Sequence, residues 1–291
     1  MAPCMLKLTL FTINIIKMAV SFNISELRAL AQQLSSDLKM PFEYMTHSFF
    51  KRRMNLFLDK NGIRKVEQLH QLLQDKNEAD EFCRFFSIAT TELFRDPSFW
   101  RQLRKILNEK YSTSNINIWL PDGASGEELY SLLILLDEIK LLSKVNVWVN
   151  HWSSKAIDNL QNGHLQMRKH DVNAYNYKRF EGVKSIDSYF TELENEVHLN
   201  TALMHQVHFT QGGVKQKPTV KCDIVILRNS LIYYTKDYHE EVKNEIDKAL
   251  LPGGYVCFGV KEQLAAPYQN RFEIIDTKEK IYSKFSFLKG E

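Results

Sequence analysis

The chain is poor in cysteine, and its cysteines are not paired. Cys4, Cys83, Cys222 and Cys257 are scattered and form no Cys-x-x-Cys. This excludes a disulfide framework and reads as reduced cytosolic thiols, mostly core filler. No Gly-Lys-Ser/Thr is present, so a nucleoside-triphosphate loop is excluded. Internal repeats and low-complexity tracts are also lacking. Charge of one sign is scarce: a net +3 over 291 residues is too small to point to nucleic acid. The mostly apolar run at 6–16 is too short to span a membrane as a helix. With Met18 close behind it, residues 1–17 read as a leader or a misassigned start.

What is present is ordinary for a globular protein: 44% hydrophobic and 25% charged residues, enough for a large core in one large or two modest domains. The first third has helical spacing. Apolar residues recur at helical intervals over 24–38, with Asn23 or Ser25 as N-cap, and again over 45–58, 66–73 and 79–86. This predicts a helical domain over 18–97, then a linking helix over 98–109. From Asn115 the rhythm changes. Strands are expected at 116–120, 145–150, 205–210, 223–227, 255–260, 272–276 and 282–288, with helices at 127–142, 154–162 and 237–250. Such alternation predicts a mainly parallel, doubly wound α/β sheet over 98–291. Within it, 163–204 is polar, aromatic and poorly periodic, and reads as an inserted appendage.

The most telling stretch follows the first strand: Asp122-Gly123-Ala124-Ser125-Gly126-Glu127-Glu128. A strand, a glycine turn and a helix make a small-molecule pocket at the carboxyl end of a parallel sheet. Glycine lets the backbone approach a ligand, and acidic side chains suit ribose hydroxyls rather than phosphates. An ordinary strand-to-helix turn is the alternative for this stretch alone.

Further residues narrow the choice. Ser125-Gly126-Glu127-Glu128 with Tyr130-Ser131 resembles the cofactor loop of CheR-type chemoreceptor methyltransferases. Thr91-Glu92-Leu93-Phe94-Arg95-Asp96-Pro97 resembles that family's T-x-F-F-R-D-P. Arg228-Asn229-Ser230-Leu231-Ile232-Tyr233-Tyr234 resembles its C-R-N-V-x-I-Y-F, and Gly259-Val260-Lys261-Glu262 its closing G-x-x-E. These blocks stand in the family order and the resemblance runs over nearly the whole chain. It implies a Rossmann-like S-adenosylmethionine methyltransferase sheet with an N-terminal helical domain and a small β appendage at 163–204. The implied activity is methyl transfer from S-adenosylmethionine to receptor glutamates, in the cytoplasm, with no metal and no membrane insertion.

The resemblance also implies roles. Arg95 would grip a carboxylate bidentately and, with Tyr233, stand at the methyl-transfer point. Thr91, Arg95, Asp122, Gly123, Glu128, His151, Gly213, Asn229 and Ser230 would line the cofactor. Lys51, Arg52 and Arg53 would face an acidic receptor. Each has a structural alternative: a surface arginine, an N-cap threonine, a glutamate favouring a helix N-terminus, a core tyrosine, a solvated basic face.

Four positions depart from the family pattern. Its Asn before the threonine is Ala89, and its first loop glycine is Asp122. The Asp that ends its second strand and binds the ribose falls on His151, and an Asn after the next strand falls on Gly213. Loss of a ribose-binding carboxylate costs about 1.5–3 kcal/mol, so weakened cofactor binding is expected. A second reading therefore stands beside the enzyme: a catalytically degenerate relative that binds a receptor or signalling partner. His198, His205 and His208 lie close in sequence but are not expected to form a metal site.

Overall fold

The structure is a computed structural model that describes residues 22–87, 91–165, 170–193, 196–264 and 270–286. Residues 1–17, expected as a leader or a misassigned start, and Ala89 lie outside the described residues.

Four helices open the chain: α1 (Ile24–Leu38), α2 (His47–Lys60), α3 (Val66–Leu72) and α4 (Lys76–Phe86). Asn23 starts α1 with a capping box, its side chain accepting from Glu26 N–H while the Glu26 carboxylate accepts from Asn23 N–H. Leu27, Leu30, Ala31 and Leu34 then fall on one buried face. They join Phe42, Phe50, Phe57, Phe82 and Phe86 in a core of their own.

After α5 (Pro97–Tyr111) come β1 (Ile116–Leu120), α6 (Glu127–Glu138), β2 (Val145–His151) and α7 (Ser154–Gln161). The appendage holds β3 (His164–Leu165), α8 (His170–Phe180), β4 (Phe190–Leu193) and β5 (Glu196–Leu199). The chain closes with β6 (Val207–Gln211), β7 (Cys222–Leu227), α9 (Lys236–Ala249), β8 (Leu250–Phe258), β9 (Phe272–Asp276) and β10 (Ile281–Lys284). The large sheet has the order β6-β2-β1-β7-β8-β10-β9. Its first five strands are parallel, and β10 runs antiparallel to both β8 and β9. The small sheet, β3-β5-β4, is antiparallel.

β1 and β7 are buried on both faces, the mark of parallel strands covered by helices. One face packs on α5, α6 and α8, the other on α9. Because β1 is flanked by β2 on one side and β7 on the other, the connections leave it in opposite directions. A crevice opens there, at the carboxyl ends of the strands.

Some expected boundaries move, for identifiable reasons. α6 stops at Glu138 although the apolar pattern runs to Leu142. Lys140 turns left-handed at φ 59°, while Leu141 N–H donates to Leu136 and Lys140 N–H to Asp137, a Schellman end with no glycine to announce it. The third parallel strand begins at Val207, so His205 precedes it. β8 begins at Leu250 and takes the Pro252-Gly253-Gly254 turn into the sheet through an irregular register against β7. The last strand is Ile281–Lys284, short of the expected end. No helix among the described residues is long and apolar enough to cross a membrane.

Candidate functional site

Asp122 leads the turn after β1. Its Oδ1 accepts from Ala124 N–H at 3.0 Å, and its Oδ2 accepts from the Ser230 hydroxyl at 2.7 Å. The β1 and β7 loops are thereby joined across the crevice. Gly123 donates its N–H to Asn150 O at 2.7 Å. A Cβ there would lie 2.8 Å from Val149 and 3.3 Å from Asn150 O, so only glycine lets the turn sit this close to β2. Gly213 has a similar constraint: a Cβ would meet the Trp152 indole at 2.3 Å. The ring fills the space that the family's asparagine side chain would need.

At the end of β7, Arg228 is buried and collects partners from two other segments. Its Nη2 donates to Asp96 Oδ2 at 2.7 Å, and its Nη1 to Glu128 Oε1 at 3.2 Å and to Arg95 O at 3.4 Å. The guanidinium lies 3.9 Å from the Phe99 ring centroid. Burial pushes the Glu128 carboxyl up to about 7, against the pull of Arg228. Asn229 turns left-handed at φ 58°. The buried Glu262 carboxylate fixes that turn by accepting from Asn229 N–H at 2.8 Å, Gly259 N–H at 2.8 Å and Ile232 N–H at 3.2 Å.

The Thr91–Pro97 segment is held in an unusual path, with Phe94 and Asp96 at φ 51° and 56°. Such conformations cost about 1–3 kcal/mol each and persist where surroundings enforce them. Here α8 and α6 do so. Asn173 accepts from Leu93 N–H at 2.9 Å and Asn176 donates to Leu93 O at 3.1 Å. The Ser131 hydroxyl accepts from Phe94 N–H at 2.8 Å and donates to Glu127 O at 2.6 Å.

The helical region closes one side of the crevice. Asp80 of α4 accepts from the Ser153 hydroxyl at 2.6 Å, Ser154 N–H at 2.6 Å, the Ser154 hydroxyl at 3.0 Å and Lys155 N–H at 3.1 Å. It thus caps α7 from outside. Burial raises the Asp80 pKa, but these hydrogen bonds outweigh it and hold the carboxyl below its ordinary value. Thr46 N–H donates to Tyr233 O at 2.8 Å and Thr235 N–H to Tyr44 O at 2.7 Å. Phe49 packs on the Tyr233 ring at 4.6 Å. Between α2, α4 and the sheet lies a cavity of about 220 Å3, whose wall includes Arg53, Arg84, Ala124, Ser125, His151 and Leu160.

The expected site residues thus divide. Asp122 and Ser230 are hydrogen-bonded to each other, and Glu128 accepts from Arg228, the residue before Asn229. His151 lines the cavity beside the β1 turn. Arg95 reaches this cluster through its carbonyl. Its side chain lines a separate polar recess of about 540 Å3 with Arg179, Lys278 and Glu279. Thr91 leads into the strained segment, half-buried. On α2, Lys51 and Arg52 are exposed. Arg53 instead turns inward, over the Phe85 ring at 4.4 Å and towards Ser87 O at 3.3 Å. Sequence reasoning assigns no site role to Arg228, Glu262, Ser131, Asn173, Asn176 or Asp80. The first three stand inside or beside the motifs; nothing local marks the others.

The crevice suits a nucleoside cofactor. It offers a turn that excludes a Cβ at Gly123 and the carboxylates of Asp122 and Glu128. S-adenosylmethionine would be held by Asp122, Gly123, Glu128, His151, Asn229 and Ser230, and would supply an electrophilic methyl group. Fold and crevice are those of a Rossmann-like α/β protein that binds a ligand at the carboxyl ends of its strands. Residues 89–281 match the family described as CheR methyltransferase, SAM binding domain, and the chain belongs to that family. It is 24% identical to the Cher3 protein of Pseudomonas putida, over 89% of this chain and 96% of that one. It is 22% identical to a chemotaxis protein methyltransferase of Listeria monocytogenes, over 82% of this chain and 89% of that one. Among solved structures, the plantazolicin methyltransferase BpumL overlaps 80% of this chain and 57% of that one at 10% identity, with a TM-score of only 0.36.

Proposed function

We propose that the protein methylates glutamate side chains of cytoplasmic chemoreceptor domains, in chemotactic adaptation. The observation that carries this reading is the gathering of four separated segments around Arg228 and Asp122: 93–96, 122–131, 228–233 and 259–262. The names of the Listeria and Vibrio cholerae relatives, chemotaxis protein methyltransferases, support the chemotactic setting.

The chemistry asks little of the protein beyond placement. A glutamate carboxylate is already ionised at neutral pH and is its own nucleophile. One oxygen forms a bond to the methyl carbon as the carbon–sulfur bond breaks, its electron pair passing to sulfur. No general base is needed. Holding the reacting atoms in line is worth roughly 7–11 kcal/mol of barrier. Arg95, whose carbonyl joins the Arg228 cluster, would offer its cation to a carboxylate from the neighbouring recess, and Tyr233, seated on Phe49, would shield the transfer point from water. Thr91 and Gly213 complete the cofactor wall. Lys51 and Arg52 offer an exposed basic face to an acidic receptor. The buried free thiols Cys83, Cys222 and Cys257 fit a cytoplasmic site of action. Division into a helical unit over 18–97 and an α/β unit over 98–291, with 163–204 inserted, is supported by the separate core under α1–α4.

The test is incubation with methyl-labelled S-adenosylmethionine and receptor cytoplasmic fragments. A carboxyl methyl ester releases its label as methanol in mild base. Receptor that acquires no base-labile label would overturn the assignment; a receptor that is bound but not labelled would point to the non-catalytic role.

A further inference from the structure

In nucleotide-binding α/β sheets, an acidic residue some 20 positions beyond the glycine turn binds the ribose 2′-hydroxyl. In this chain the residue that ends β2 and faces the crevice is His151. A carboxylate stands one strand away instead, on Asp122, two residues past β1. β1 and β2 are parallel neighbours, with Leu120 beside Val149, and Gly123 N–H bonds to Asn150 O. Asp122 and His151 therefore flank a directly bonded pair of residues. Burial lowers the His151 pKa, and the Asp122 charge works against that.

We propose that this protein has moved its ribose-binding acid from the second strand to the first: Asp122 accepts from the ribose diol and His151 donates to it. This rests on S-adenosylmethionine being the cofactor. Asp122 is fixed for such a role by Ala124 N–H on one oxygen and the Ser230 hydroxyl on the other. Each carboxylate oxygen keeps a second lone pair. His151 Nδ1 accepts from Ser153 N–H at 3.0 Å, so in the neutral ring the proton sits on Nε2, a donor. An acceptor facing a donor complements a vicinal diol, in which one hydroxyl gives its proton and the other receives one. Two carboxylates at these positions would repel each other. The two departures are thus one exchange.

The test is calorimetric titration of the full chain with S-adenosyl-L-homocysteine and with its 2′-deoxyribose analogue. Asp122→Asn should weaken binding of the first about 10- to 100-fold and of the second far less. His151→Asp alone should bring no gain. The double variant Asp122→Gly/His151→Asp should return to within roughly threefold of wild type, a non-additivity that loop damage would not produce. Ser230→Ala, which removes the hydroxyl that steadies one Asp122 oxygen, should shift the two ligands alike, unlike Asp122→Asn. Unchanged binding by Asp122→Asn, equal losses for both ligands in that variant, or tighter binding by His151→Asp alone would overturn the exchange while leaving the cofactor assignment intact. A wild-type chain that binds neither ligand would overturn both.

Discussion

Arg228 donates to Glu128 at 3.2 Å across a hundred positions of sequence, and the same guanidinium reaches Asp96 at 2.7 Å. One buried cation therefore holds together the loop after β7, the start of α6 and the strained segment before α5. Two carboxylates would otherwise face each other without a counter-charge.

Arg228→Ala should destabilise the protein by about 3–5 kcal/mol, the cost of leaving buried partners uncompensated. Arg228→Lys should recover little, because a compact ammonium lacks the planar fork that reaches Asp96 and Glu128 at once and stacks on Phe99. Denaturant unfolding of both variants measures this; full rescue by lysine would contradict it.

Stability should fall as pH rises from about 4.5 to 7. Burial raises the Glu128 carboxyl from its ordinary 4.5 to about 7. Over that window the folded state holds a proton that the unfolded state has lost, so raising pH favours unfolding. The span is on the order of 3 kcal/mol. Glu128→Gln should flatten this part of the pH–stability curve. An unchanged slope would assign it to other groups.

Gly259→Ala should disturb the Arg228–Asn229 turn. Its Cβ would lie 2.6 Å from Asn229 Oδ1 and 2.7 Å from Asn229 N. Overpacking of this kind costs about 1–3 kcal/mol. Weaker binding of S-adenosylhomocysteine should accompany the loss, since the displaced turn carries Asn229 and Ser230. A crystal structure of the variant would show whether that turn moves.

Asp80→Ala removes the outside cap of α7 and should cost about 1–2 kcal/mol. Because hydrogen bonds hold the Asp80 carboxyl below its ordinary value, its stabilisation is present above that value and is lost on acidification through the lowered one. Amide exchange at Ser154, Lys155 and Ala156 should quicken in the variant. Exchange as slow as in the wild type would show the cap to be redundant.

Lys51→Glu with Arg52→Glu should weaken association with receptor fragments, most clearly at low salt, and leave cofactor titrations unchanged. A merely solvated basic face predicts equal binding at every ionic strength.

The appendage shows why part of the chain resisted reading. Residues 163–204 look poorly periodic, yet α8 lies within them. Its inward positions Asn173, Asn176, Tyr177 and Phe180 have helical spacing, but two of them are asparagines. They are buried because Leu93 supplies hydrogen bonds to both, a partner about eighty residues away. α6 misled in the opposite way, since Leu141 extends the apolar pattern past a left-handed Lys140.

The sequence by itself determined the order of helices and strands, the parallel sheet and the loops that would carry the chemistry. Periodicity and turn composition act over a few residues, so they survive in a linear reading. Tertiary structure alone decided which side chains meet. It buried Arg228 between Asp96 and Glu128 and set Glu262 against the Asn229 turn. It turned Arg53 inward while Lys51 and Arg52 stayed outside, and tied Asp122 to Ser230. Those choices depend on distances between segments far apart in the chain, and on the need of each buried charge or polar group for a partner.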